Sequence, residues 1–247
     1  MRRIGPVHNR DVSGGTMGVH KSGVYGSGVY KSGVYSAGSD DTVTIGGRKY
    51  KTVKIGDQVW LAENLDFKFG GLVVGSSGSS DSEPRANYYN NDESTYGVNG
   101  NKYGLLYNWA AVQYLEDNKS QFFPGWHVSS REDWDVLVSQ VGGTSVAGAV
   151  LKAISGWDDG GNGNGDTNFN MPPSGYYYSN SIGAGNSARL WAFQRQRIYM
   201  SSSSDGVDFL YPNVAQQFSV RLVKDAPAAL LGGPLLGSPN AEATDGE

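Results

Sequence analysis

Residues 124–143 read PGWHVSSREDWDVLVSQVGG. This run decides the fold class because it carries a helix together with its start and stop signals. Ser129 is an N-cap type, and Glu132 stands three residues on, the spacing of a capping box. Trp134, Leu137, Val138 and Val141 then follow at i, i+3, i+4 and i+7, a single apolar stripe. Gly142 and Gly143 end it.

Upstream, LLYNWAAVQYL (105–115) predicts a second helix, with Leu105, Trp109 and Val112 on one face. Further back, TVTIGGRKYKTVKIGDQVWLAENL (42–65) reads as a β-meander. Its β-branched runs are separated by Gly46-Gly47 and Gly56-Asp57, both tight-turn dipeptides. The polar stretch from about 66 to 104, with GSSGSSDSEP at its centre, is expected to be a surface loop. After Trp157 the chain reads as loop until RLWAFQRQRIYM (189–200) and a last strand, FSVRLV (218–223), in which Phe218, Val220 and Leu222 share a face. The fold class is α+β, with the terminal strands paired to each other.

Composition divides the 247 residues into three. Residues 1–40 are a Gly/Ser/Tyr-rich arm containing GVHKS, GVYGS, GVYKS and GVYSA from Gly18 to Ala37. An odd period throws successive Tyr25, Tyr30 and Tyr35 to opposite sides of a strand. The arm is therefore either a linker or a segment that orders against a partner or sister copies. Residues 41–225 form the folded domain, and 226–247 read as a flexible tail.

Several chemistries are excluded or disfavoured. The chain has no cysteine, so it has neither disulfides nor thiol catalysis. The net charge is −4 and no Lys/Arg stripe exists, which argues against nucleic acid. MRRIGPVHNRDV lacks the apolar core of a secretory signal, and no run is long enough to span a membrane. His8 and His20 lie in the arm, and His127 is expected to be a satisfied structural histidine rather than a base. No nucleotide loop, Ser–His–acid spacing or paired-carboxylate spacing is visible.

The loop GWDDGGNGNGDTNF (156–169) offers Asp158, Asp159, Asn162, Asn164 and Asp166. Alternating oxygen ligands with intervening glycines suit a structural Ca²⁺, though not in EF-hand order. The competing reading is an Asx-rich loop that bonds its own backbone. No cofactor is otherwise required.

Seven blocks together carry a resemblance: YKTVKIGDQVWLAENLDF, YYNNDESTYG, YGLLYNWAAV, the opening block, AGAVLKAISGW, FNMPPSGYY and FSVRLVKD. In this order, over about residues 42–225, the chain resembles the Fibrobacter succinogenes major paralogous domain family. The resemblance implies a C-type-lectin fold, with two helices flanking a sheet that joins the termini. It implies distant kinship with formylglycine-generating enzymes, whose active-site cysteines this chain lacks. It also implies kinship with variable proteins of diversity-generating retroelements, which are rewritten just before the final strand. Phe122 and Leu222 stand where many members have cysteines. An apolar pair there would replace a buried disulfide and let the domain fold in a reducing interior.

RLWAFQRQRIYM falls where such relatives vary. Read with period two, it places Trp191, Phe193, Arg195, Arg197 and Tyr199 on one side. Trp191 is expected in the core. The ligand surface, about 192–217, is expected to use Phe193, Gln194, Arg195, Gln196, Arg197, Tyr199, Ser201, Ser203, Asp205, Asp208, Phe209, Tyr211 and Asn213, with help from the 66–100 loop. Rigid aromatics and arginine forks beside small polar residues make good contact surfaces.

The expected function is non-catalytic binding of a protein or glycan receptor on a cell surface, from a phage tail or a bacterial surface. The arm would mediate oligomerisation or attachment to the phage particle. One alternative is a bacterial surface protein with a carbohydrate-binding or scaffold role. The other is an enzyme related to formylglycine-generating enzymes, disfavoured by the absent cysteines.

Overall fold

The computed structural model describes residues 42–75, 80, 82–97, 103–213 and 215–225. The repeat arm at 1–40 and the tail at 226–247 lie outside the described residues.

In chain order the elements are β1 (Thr42–Ile45), β2 (Arg48–Ile55), β3 (Gln58–Leu61), β4 (Val73–Val74), β5 (Arg85–Asn87), α1 (Glu93–Tyr96), β6 (Leu106–Tyr107), α2 (Trp109–Asp117), α3 (Lys119–Phe122) and β7 (Trp126–Val128). There follow α4 (Arg131–Gln140), α5 (Ala147–Leu151), β8 (Ser174–Tyr178), β9 (Asn180–Ala184), β10 (Ser187–Ala192), β11 (Gln196–Ser201), β12 (Asp208–Leu210) and β13 (Leu222–Lys224). The fold is mixed α+β. Its strands form two five-stranded sheets, ordered β1-β2-β3-β13-β7 and β12-β11-β10-β8-β9, and a three-stranded sheet, β4-β5-β6.

The first sheet is buried on both faces. Val53, Trp60 and Val223 lie side by side across it and point into a core with Trp134, Leu137 and Val138 of α4. Leu61, Leu222 and Val128 point the other way, into a core with Ala111, Val112 and Leu115 of α2. As the sequence suggests, the last strand pairs with the meander: Val223 faces Trp60. Two helices do flank this sheet, each by its apolar stripe.

Several boundaries differ from the sequence reading. The cap of α4 is Ser130, not Ser129: its Oγ accepts from Asp133 N, while Asp133 Oδ2 accepts from Ser130 N. Ser129 is engaged elsewhere, its Oγ accepting from Trp134 Nε1 at 3.0 Å. The second helix begins at Trp109 rather than Leu105, because Asn108 caps it by accepting from Ala111 N and Leu106–Tyr107 pair as a strand. The 66–104 stretch is not simply surface loop. Phe69, Ala86 and Tyr88 are buried, and β5 pairs with both β4 and β6. Nor is 158–188 all loop, since β8 and β9 form a hairpin there.

Phe122 and Leu222 both join the α2-side core, Leu222 fully buried and Phe122 at the rim. Phe122 sits among the rings of Phe67, Phe69 and Phe123, with centroids 5.2, 5.8 and 6.4 Å away.

His127 fastens the end of β13 to the start of α4. Its Nδ1 lies 2.7 Å from Asp225 Oδ1 and its Nε2 2.9 Å from Asp133 Oδ2. Burial alone would lower its pKa, but the hydrogen bonds and charges of Asp133 and Asp225 outweigh burial and raise it above 6.5. A histidine whose pKa rises on folding stabilises the fold fully below its unfolded value, and that stabilisation is lost as pH climbs through the folded value. Asp133 works oppositely. Burial would raise its pKa, the bonds from His127 and Ser130 lower it, and its contribution is lost in acid. We predict that Tm falls as pH rises from 6 to 9, and that His127→Gln flattens this slope. Parallel melts of the two proteins check this; equal slopes would remove His127 from the pH dependence.

Candidate binding surface

RLWAFQRQRIYM is not one strand but a hairpin. β10 and β11 pair through Arg189↔Tyr199, Leu190↔Ile198, Trp191↔Arg197 and Ala192↔Gln196. Gln194 and Arg195 form the tip, both in the left-handed region with φ of 73° and 66°. Phe193 N donates to Ser129 O at 2.8 Å, which anchors the tip to the start of α4.

The two faces of this hairpin have different fates. Ala188, Leu190, Ala192, Ile198 and Met200 turn inward and are buried in the α4-side core. Arg189, Arg197 and Tyr199 share the opposite face with Trp191. Trp191 is in the core, as expected: it has no exposed area, its Nε1 donates to Tyr107 O at 2.7 Å, and Trp109 and Phe218 pack on it. Beside it the face opens. β12 adds Asp208 opposite Tyr199 and Leu210 opposite Arg197. On the other flank Tyr176 of β8 is paired with Ile182 of β9, and Tyr178 with Asn180. Leu210, Tyr178 and Ile182 are all exposed large hydrophobic residues, and Tyr211, just beyond β12, is 85% exposed.

The residues expected to form one ligand patch therefore separate into five places. Arg197, Tyr199 and Asp208 lie on the open face, with Tyr211 following β12. Phe193, Gln194 and Arg195 are at the hairpin tip, where Phe193 stacks on Trp109 with centroids 6.0 Å apart and is in part structural. Gln196 and Phe209 lie on the inward face. Arg131 of α4 covers them, its Nη1 donating to Gln196 Oε1 and its guanidinium lying 3.7 Å above the Phe209 ring. Ser201, Ser203 and Asp205 are at the far end of β11, against α5. There the buried Lys152 donates to Ser201 O and Ser204 O, and Asp205 O accepts from Ala149 N. Asn213 is exposed and bonds its own turn, accepting from Ala215 N. The period-two reading fails at Gln194, where the chain reverses without the glycine or asparagine that usually marks such a turn.

Arg189, Tyr176, Tyr178, Ile182 and Leu210 were missed. Arg189 carried a signal, being two residues before Trp191 in the same alternation. The others are brought alongside by sheet pairing alone.

The Asx-rich loop is built around its own backbone. Asn162 Oδ1 accepts from Trp157 N, Asn164 Oδ1 accepts from Asp166 N, and Asn164 Nδ2 donates to Asp166 Oδ2. Asp158 lies against Gly185, and Asp159 has a φ of 53°. Among the described residues no three Asp, Glu, His or Cys side chains gather as a metal set.

A polar cleft of about 880 Å³ also opens beside the meander, lined by Arg48, Glu63, Asn64, Asp66, Asn170 and Pro173 among others. Its charges answer one another. Arg48 pairs with Glu63 at 2.7 Å and faces Asp66 at 3.7 Å, and Asp66 also accepts from Tyr88 Oη. Burial raises the Asp66 pKa, against the hydrogen bond from Tyr88 and the charge of Arg48. The sheet face differs in that its two arginines have no acidic partner among the described residues.

A family model for the Fibrobacter succinogenes major domain matches residues 53–224, from within β2 to the end of β13. The chain belongs to the Fibrobacter succinogenes major domain family. No curated protein and no solved structure matches it. Both five-stranded sheets and both flanking helices of this Fibrobacter major domain fall within the match, apart from β1 and the start of β2. No described helix is long and apolar enough to cross a membrane.

Proposed function

We propose that this domain is a non-catalytic binding module of the C-type-lectin kind, and that its ligand surface is the open face of the β12-β11-β10-β8-β9 sheet. One observation carries the reading. Along β10 and β11 the inward residues are core apart from Gln196, which Arg131 covers, while the outward residues next to Trp191 are arginine and tyrosine that the core does not need. Such residues can change without unfolding the domain, and they are the types that dominate binding energy. The family tie and the position just before the last strand support the narrower version: a receptor-binding protein of a phage tail or bacterial surface, diversified by a retroelement.

Two tests apply. Tyr199→Ala, Leu210→Ala and Tyr211→Ala together are expected to abolish capture of target cells while lowering Tm by no more than about 6 °C, since substitutions away from the core usually cost under about 0.5 kcal/mol each and 1 kcal/mol moves Tm by about 2–4 °C at this size. Retained capture would remove the face as the site. Comparison of related isolates is expected to place variation at Arg189, Arg197, Tyr199, Asp208 and Leu210 and to spare Leu190, Ile198 and Met200. Variation spread evenly over both sets would end the diversification reading.

A further inference from the structure

The open face has a chemical preference, and that inference rests on the reading above. Arg189 and Arg197 stand on neighbouring strands, paired respectively with Tyr199 and Trp191. The Arg189 guanidinium lies 3.6 Å above the Tyr176 ring and 5.6 Å from that of Tyr199, while Arg197 is 5.9 Å from the Tyr199 ring. Tyr176 thus lies under the Arg189 fork, and Tyr199 stands beside both forks. Neither guanidinium has a carboxylate among the described residues, and the Nε of each is buried without a hydrogen-bond partner. Burial, and then the like charge of Arg189, pull the Arg197 pKa down. Asp208, the acid of this face, lies opposite Tyr199 and forms no salt bridge with either arginine.

Two like charges, partly desolvated and unpaired, are costly to keep together. A carboxylate docked between them relieves the repulsion and offers acceptors to the guanidinium Nη atoms, and the planar fork suits bidentate contact with it. We propose that Arg189 and Arg197 recognise carboxylates on an acidic, partly apolar segment of a partner protein. The flanks select a peptide. Leu210, Tyr178 and Ile182 are exposed on both sides of the pair and need aliphatic or aromatic cover, which a chain alternating acidic and apolar side chains provides. A nucleic acid is disfavoured, because the face offers two positive charges beside the acid Asp208 and the chain as a whole carries −4.

The test uses the full chain and a fluorescein-labelled peptide of alternating glutamate and leucine, read by anisotropy. Binding is expected to weaken with salt and to fall at least about tenfold, equivalent to about 1.4 kcal/mol, in Arg189→Gln/Arg197→Gln. It should be unchanged in Arg195→Gln at the exposed tip. Arg189→Lys/Arg197→Lys, which keeps charge but loses the forks, should recover only part. The Nε–Hε NMR signals of the two arginines should shift on saturation. Equal binding by the glutamine variant, no binding by the wild type, or preference for polygalacturonate over the peptide each overturns the proposal. If the Tyr199/Leu210/Tyr211 variant loses cell capture while the arginine variant keeps it, the surface stands and the carboxylate assignment falls. If both variants keep capture, the surface itself is wrong.

Discussion

Replacing Arg221 with leucine is expected to destabilise the domain by about 4 kcal/mol, lowering Tm by roughly 10 °C or more or leaving the protein insoluble. Arg221 has no exposed area, yet it is a cation without a carboxylate partner at hydrogen-bond distance. Its Nη1 donates to Leu61 O at 2.8 Å and Phe169 O at 2.7 Å, its Nε to Asn64 Oδ1 at 2.8 Å, and its Nη2 to Asn170 O at 3.2 Å. Burial pulls its pKa down to about 9 against the opposing charge of Glu63, so it remains charged at neutral pH.

Exchanging a buried ion pair for apolar residues can be neutral, because both polar partners leave together. Here they do not. Leucine would fill part of the space but strand the carbonyls of Leu61 and Phe169, each costing about 1–3 kcal/mol when unsatisfied. Arg221→Lys should fall between, since one ammonium cannot reach all four acceptors. Chemical denaturation of the three proteins decides it. A leucine variant as stable as the wild type would mean that the carbonyls find other donors.

The second large effect is expected from a glycine. Gly163→Ala should cost about 3 kcal/mol, because a Cβ there would sit 2.0 Å from Lys152 O and 2.6 Å from Lys152 C, both backbone atoms. Gly161 meets Ser202 O in the same way at 2.2 Å. The Gly-rich loop is thus pressed on one side against the end of α5 and on the other against the turn after β11. Gly163 N donates to Ala153 O, and Asn164 N donates to Ala149 O. Gly70→Ala is the matched control: nothing lies within 4 Å of its Cβ position, and no change beyond about 0.5 kcal/mol is expected. Equal Tm for the two variants would show that the loop can withdraw from α5.

These two sites show where sequence reading stopped. The stripe Trp134, Leu137, Val138 and Val141 was legible because helical period and burial coincide, and all four are buried. The meander and its pairing with the last strand were legible from turn dipeptides and alternation. Arg221 was not: within FSVRLV it looks like the solvated partner of an alternating strand, and only the carbonyls arriving from Leu61, Phe169 and Asn170 make it interior. The glycines of GGNGNG permit close approach of backbone to backbone at Gly161 and Gly163, which their spacing alone does not announce. At the candidate face, the residue types were visible in RLWAFQRQRIYM but their grouping was not. A turn at Gln194 and Arg195 has no glycine to announce it. The partners Tyr176, Ile182 and Leu210 come from strands distant in the chain.

The placement of β13 between β3 and β7 bears on how the protein is made. Until Arg221, Leu222 and Val223 arrive, both cores lack a wall and the meander has no neighbour on its open edge. The domain therefore cannot close while it is still being translated through its middle, and a copy cut short before the final strand has nothing to hold the tyrosines and arginines in place. Only a ribosome that has read through this last strand releases a product whose two cores can close, so prematurely terminated chains are left without a complete fold.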